Sequence, residues 1–126
     1  MISNIHKYIS LKTTKKSGQE VKTPLWVIQL PQDQGAAILY AFTNKHSGKI
    51  KRLKNNAYGE IALCSFKGKI QSSWSQAVIT ITADKVDLKK VILHMYKKYS
   101  WQMFLVDFLA RISFRRSSWV VLKITY

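Results

Sequence analysis

Acidic residues are scarce in this 126-residue sequence: six, against 21 lysines and arginines, for a formal net charge of +15. So few carboxylates leave little material for paired-carboxylate catalysis, a Ser-His-Asp triad or an oxygen-ligand metal site. The single cysteine, Cys64, excludes an internal disulfide and a thiolate zinc cluster. In its setting, "EIALCSF", it reads as a small buried strand residue rather than a nucleophile. No apolar run approaches the roughly 20 residues that span a bilayer. The opening "MISNIHKYISLKTT" lacks an apolar core followed by a cleavage site, so no signal peptide is expected and the expected compartment is the cytoplasm. His6, His46 and His94 have no acidic or cysteine partner at a telling spacing. If the protein is an enzyme, a bound cofactor must bring the chemistry.

What is present is enough apolar material for one folded domain, residues 1–126, with 47% hydrophobic residues and 12% aromatics. Strands are expected at 8–14, 20–30, 36–42, 59–66, 70–82 and 119–126, separated by turns such as "KKSGQ" and "PQDQG". Pro24 has no N–H to give to a ladder, so the second strand should be bulged or edge-like around Thr23 and Pro24. Two helices are expected before the last strand. In "DKVDLKKVILHMYKKY", Leu88, Val91, Ile92, Met95 and Tyr99 recur at helical spacing behind Asp84 as a cap. In "SWQMFLVDFLARI", Trp101, Phe104, Leu105, Phe108, Leu109 and Ile112 do the same, with Met103 and Val106 widening the face. A face that wide calls for burial on more than one side, a second subunit included. The expected fold is mainly β, a closed or partly closed barrel with a short helix after its third strand.

That short helix lies in "TNKHSGKIKRLKNN", residues 43–56, which holds five lysines and arginines and no acid. Ile50, Leu53 and Ala57 form its narrow apolar face. Ser47 is the expected N-cap, and Gly48 lets a ligand approach the first free amides closely. A helix start with free amides, a hydroxyl and Lys49 nearby suits a phosphate; a solvated basic helix face is the competing reading. Nucleic acid is a third. The net charge fits it, and Trp26, Trp74, Trp101 and Trp119 are aromatics that stack on bases in other settings. No glycine-rich RNA-binding signature, zinc spacing or basic recognition helix supports it, and such aromatics in apolar segments are more often core.

The order "KYISLKTT", "VKTPLWVI", "TNKHSGKIKRLKNN", "IALCSFKGK", "KKYSWQMFLVDFLARI" resembles the flavin-binding split β-barrel superfamily, which includes pyridoxamine 5′-phosphate oxidase. Within it, the sequence is most similar to the short branch labelled deazaflavin-dependent oxidoreductases, where a serine-glycine-lysine segment follows the third strand and a lysine-tyrosine segment opens the late helix. The resemblance runs from Lys7 to Tyr126. It implies a six- to seven-stranded Greek-key split barrel that is an FMN- or deazaflavin-dependent oxidoreductase. Ser47 and Lys49 would hold the cofactor phosphate, Lys51 and Arg52 would support its charge, and Thr43 would end the third strand against the cofactor. Thr23, Pro24, Leu25 and Trp26 would run beside the isoalloxazine ring. A homodimer with two interfacial cofactor sites is implied as well, and so is the option of an inactive flavin or haem carrier. FMN is the expected cofactor and deazaflavin coenzyme F420 the alternative, because richness in lysine, isoleucine and asparagine reads as an AT-rich genome. A non-enzymatic module binding nucleic acid or another polyanion is the alternative outside the family.

Overall fold

The computed structural model describes residues 8–33 and 35–126; residues 1–7, His6 and Lys7 among them, and Gln34 of the expected turn "PQDQG" lie outside them. Strands β1 (Tyr8–Thr14), β2 (Glu20–Trp26), β3 (Ile38–Asn44), β4 (Tyr58–Leu63), β5 (Ser75–Thr82) and β6 (Trp119–Thr125) form one antiparallel sheet in the order β2-β1-β4-β5-β6-β3. Helix α1 (Gly48–Asn55) follows β3, and α2 (Lys85–Tyr99) and α3 (Trp101–Ile112) precede β6.

The two edge strands meet at a single bridge beyond the end of β2. There Ile28 and Tyr40 exchange hydrogen bonds of 2.9 and 2.8 Å. This one clasp closes the sheet into a barrel and leaves Pro24–Trp26 and Phe42–Asn44 unpaired with one another. Pro24 stands on an edge strand, as its missing donor requires, and β2 stays in unbroken register with β1 (Thr23 opposite Leu11, Pro24 opposite Ser10), so there is no bulge.

Alternation along the strands separates two cores. Val120, Leu122 and Ile124 of β6 point into the barrel with Ile9, Leu11, Leu39, Ile61 and Ile79. Trp119 and Val121 point outward, onto Val91, Met95 and Tyr99 of α2 and Met103 and Ala110 of α3. Ile50 and Leu53 of α1 also enter the barrel core, but Ala57 lies past the helix end and is exposed. Asp84 caps α2 as the sequence implies, accepting from the Val86 and Asp87 amides at 2.7 and 3.3 Å. Cys64 is buried, bridged to Ile70 at the end of β4. Strands β2 and β5 are shorter than expected, because Val27–Leu30 and Ile70–Trp74 make at most isolated bridges.

Helix α3 departs from its hydrophobic pattern. The residues it buries are Met103, Asp107 and Ala110, spaced four and three apart. Trp101, Phe104, Leu105, Phe108, Leu109 and Ile112, picked out by periodicity, are exposed by about half or more. Just beyond, Phe114 has φ +59° and is 89% exposed. The left-handed backbone there allows the Arg115 amide to reach the Ala110 carbonyl at 2.9 Å, a helix-end motif usually built on glycine.

Candidate functional site

Where β2 and β3 splay apart beside the clasp, a cleft of about 480 Å³ opens. Pro24, Leu25 and Trp26 form one wall and Phe42, Thr43 and Asn44 the other; Val106, Leu109, Ala110 and Ser113 of α3, with Arg115 and Trp119, complete it, and Lys49 reaches in from α1. Its aromatic walls are fixed from behind. Trp26 stacks on Tyr99 with ring centres 4.6 Å apart, and Phe42 packs on Trp119 at 4.4 Å. Tyr99 in turn ties down the continuation of β2: its hydroxyl accepts from the Val27 amide at 3.0 Å and donates to the Val27 carbonyl at 2.9 Å. Burial pushes the Tyr99 phenol well above its usual range, so it serves as a neutral strut.

At the edge of the cleft stands the start of α1, and its electrostatics are one-sided. Ser47 occupies the N-cap position with extended backbone, yet its hydroxyl makes no capping bond. Ser47 Oγ is also the buried side-chain polar atom, among the described residues, that lacks a hydrogen-bond partner. The first turn carries no acid. Instead Arg52 folds back: its Nε donates to Thr13 Oγ1 at 2.6 Å, and a Cβ placed on Gly48 would lie 2.8 Å from its Nη1. Gly48 therefore makes room for a guanidinium over the first turn. Burial lowers the pKa of Lys49, and the Arg52 charge lowers it further. Two cations gathered at the positive end of a helix dipole repel each other and the dipole; an anion placed there relieves both.

Of the residues singled out from the sequence, Pro24, Leu25, Trp26, Thr43 and Lys49 line one cleft. Ser47, Gly48 and Arg52 stand at the adjoining helix start. Thr23 and Lys51 are not in the lining. Thr23 lies on β2 just short of the lining run Pro24–Trp26, and Lys51 is about 200° around the helix from Lys49. Phe42, Asn44, Trp119, Arg115 and the α3 residues were missed. Their only sequence signal is the over-wide apolar face of 101–112 and a tryptophan at the start of the last strand.

Behind the cleft, Asp107 is almost fully buried and ties three elements together. Its carboxylate accepts from the Tyr96 hydroxyl of α2, from Arg111 Nε at 3.2 Å and from Arg116 Nε at 2.8 Å. Burial pushes the carboxyl pKa up, but these donors outweigh it and hold the pKa below the usual value. The hub therefore contributes its full stability above about pH 4, where an unfolded aspartate is ionised, and loses it as pH falls through the lower folded value. Asp107→Asn should lower stability by about 2–4 kcal/mol at neutral pH, somewhat less than for a fully buried pair because Arg111 reaches solvent. Urea unfolding at pH 7 and pH 3 checks this: the gap between variant and parent should narrow in acid, and an equal gap at both would refute the ionic account.

No protein-family model matches the chain, and no curated protein does. Solved structures match over nearly its whole length. An F420 reductase superimposes with a TM-score of 0.63 at 11% identity, covering 95% of this chain and 86% of that one. A pyridoxamine 5′-phosphate oxidase-related, FMN-binding protein from Nostoc punctiforme gives 0.63 at 17%, covering 95% and 70%. HutZ, the heme storage protein from Vibrio cholerae, gives 0.66 at 11%, covering 95% and 81%. Six antiparallel strands clasped at one bridge, with three helices in these positions, give the chain the split-barrel fold of these flavin-, F420- and haem-related proteins.

Proposed function

We propose that the protein binds FMN, with a deazaflavin as the alternative, and works with it as a cytoplasmic oxidoreductase. The observation that carries this reading is the cation pair Lys49 and Arg52 at the acid-free start of α1, beside the unpartnered Ser47 hydroxyl and an aromatic-walled cleft. Ser47, Lys49 and Arg52 would hold the phosphate. Pro24, Leu25 and Trp26 on one side and Phe42 and Trp119 on the other would orient a flat ring and keep water from it. Such a ring, when bound, takes up and gives up a hydride. Among the described residues, the lining of the cleft has Lys49 and Arg115 as its ionisable groups and no Asp, Glu, His, Tyr or Cys. The chain thus supplies binding and orientation rather than acid–base catalysis.

With Lys49 assigned to the phosphate, the absence of a carboxyl, imidazole, phenol or thiol from the lining favours, as a second reading, a carrier of flavin or haem on this fold. The proposed working form is a homodimer, because Leu109 belongs both to the cleft lining and to the exposed apolar face of α3. A second copy seated on that face would close the cleft. The decisive experiment is the absorption spectrum of purified protein titrated with FMN, F420 and haem, followed by reduction with a nicotinamide and reoxidation by an acceptor. Binding of FMN or F420 with turnover is expected. Binding without turnover would favour the carrier, and no binding of any of the three by folded protein would overturn the reading.

A further inference from the structure

On the other side of Trp119 from the cleft lies a groove of about 530 Å³ between the first turns of α2, the residue after β3 and the entry to β6. Its floor is apolar: Leu88, Ile92, Trp119 and Val120, the last three nearly fully buried. Its rim is cationic. Lys45, Lys85, Lys89 and Arg116 are four of its ten lining residues, against 21 of 126 in the chain, and no acid joins them. Of the six acids, Glu20 and Glu60 are engaged with Lys12, Asp33 with Tyr40 and Asp107 in the hub; Asp84 and Asp87 stand at the start of α2 beside the rim but not in the lining, Asp84 turned onto the first amides of the helix. The rim is partly preorganised. Arg116 is held by Asp107 at 2.8 Å and lies 4.5 Å from the Trp119 ring centre, and the Lys45 amide is anchored on the Ser118 carbonyl at 2.7 Å.

From this we infer a second ligand site, for a small organic anion with an apolar body: a carboxylate, sulfonate or phosphate head on the lysine rim, and a hydrocarbon or aromatic part on Trp119 and Ile92. The volume suits such a molecule. A recessed apolar floor has no use for a nucleic acid, whose charge is met on open surface. The site stands apart from the proposed cofactor cleft, sharing only the Trp119 wall.

The probe is 1-anilinonaphthalene-8-sulfonate, followed by fluorescence and displaced with decanoate, with the uncharged N-phenyl-1-naphthylamine as comparison. The double variant Lys85→Gln/Lys89→Gln should weaken the sulfonate about tenfold or more and leave the uncharged probe nearly unchanged. Lys15→Gln/Lys16→Gln, which removes the same charge from an exposed turn, should change either by less than about twofold. FMN affinity should be the same in the groove variant and the parent, so failure here is distinct from failure of the cofactor assignment. Equal losses in both doubles would mean that net charge alone attracts the probe. Loss on Leu105→Asp instead would place the probe on the α3 face, and no displacement by decanoate would remove the ligand class. Any of these overturns the proposal.

Discussion

Lys49→Ala should weaken FMN or deazaflavin binding by roughly ten- to a hundred-fold, while Lys54→Ala changes it little. Both lysines sit on an eight-residue helix, and both substitutions remove one charge. They differ in surroundings. Lys49 is drawn into the cleft at the positive end of the helix, its charge held at a disadvantage by burial and by Arg52. A phosphate there gains a contact that the helix dipole, the free first-turn amides and Ser47 Oγ all favour. Losing one charge-assisted bond costs on the order of 1.5–3 kcal/mol, which gives that factor. Lys54 is exposed in the last turn, where a cation suits the dipole and faces water. Ser47→Ala separates two accounts further. If its hydroxyl caps the helix, the substitution should destabilise the free protein and spare affinity; if the unpartnered hydroxyl is there to receive phosphate, the free protein is unharmed and affinity falls. A fluorescence titration of each variant, with circular dichroism as the check on folding, reads both. Small and equal effects at Lys49 and Lys54 would reduce the segment to a solvated basic face.

A second large effect is expected at α3. The parent should sediment at twice 14.6 kDa at micromolar concentration, and Leu105→Asp/Phe108→Asp should sediment at 14.6 kDa and bind cofactor poorly. Phe104 and Phe108 stack within one helix, with ring centres 6.4 Å apart, and continue into Leu105, Leu109, Ile112 and Phe114, all exposed by half or nearly so. An apolar patch of this kind on one helix rarely faces water. Doubled by a two-fold axis, it would give an interface of the obligate kind, roughly 2,000 Å² or more in total. Phe114 sharpens the test. A left-handed backbone costs a non-glycine residue roughly 1 kcal/mol, and within the chain the ring gains almost no burial in return. Phe114→Gly should therefore raise the stability of the monomeric aspartate variant and weaken association of the parent. A parent that stays monomeric, or a Phe114→Gly chain that dimerises undiminished, would refute the interface.

Strands and the first two helices were legible because their patterns are local. Alternation in "VVLKIT" and the aspartate before α2 each point to one answer. The inward face of α3 was not legible, because its central residue is a carboxylate. Asp107 counts against burial until Tyr96, Arg111 and Arg116 are seen to converge on it, and that convergence is tertiary. The cleft divides in the same way. Pro24–Trp26, Thr43 and Lys49 lie near elements with strong local signals. Trp119 and Arg115 come to them across roughly 65 to 95 residues of chain, through the β3–β6 ladder and the turn after α3. Lys51 shows the limit of reading charge as a block, since neighbours on a helix point different ways.

The clasp at Ile28 and Tyr40 also bears on how this barrel can be altered. Everywhere else the circumference is set by ladders of four to seven residue pairs, where a change of spacing would break many bonds at once. At the clasp it is set by two bonds. The aperture between Trp26 and Phe42 is therefore the one dimension of the barrel open to adjustment without re-registering a strand. Shaving or enlarging those two rings would gauge the slot to a thicker or thinner guest while the frame stayed as it is.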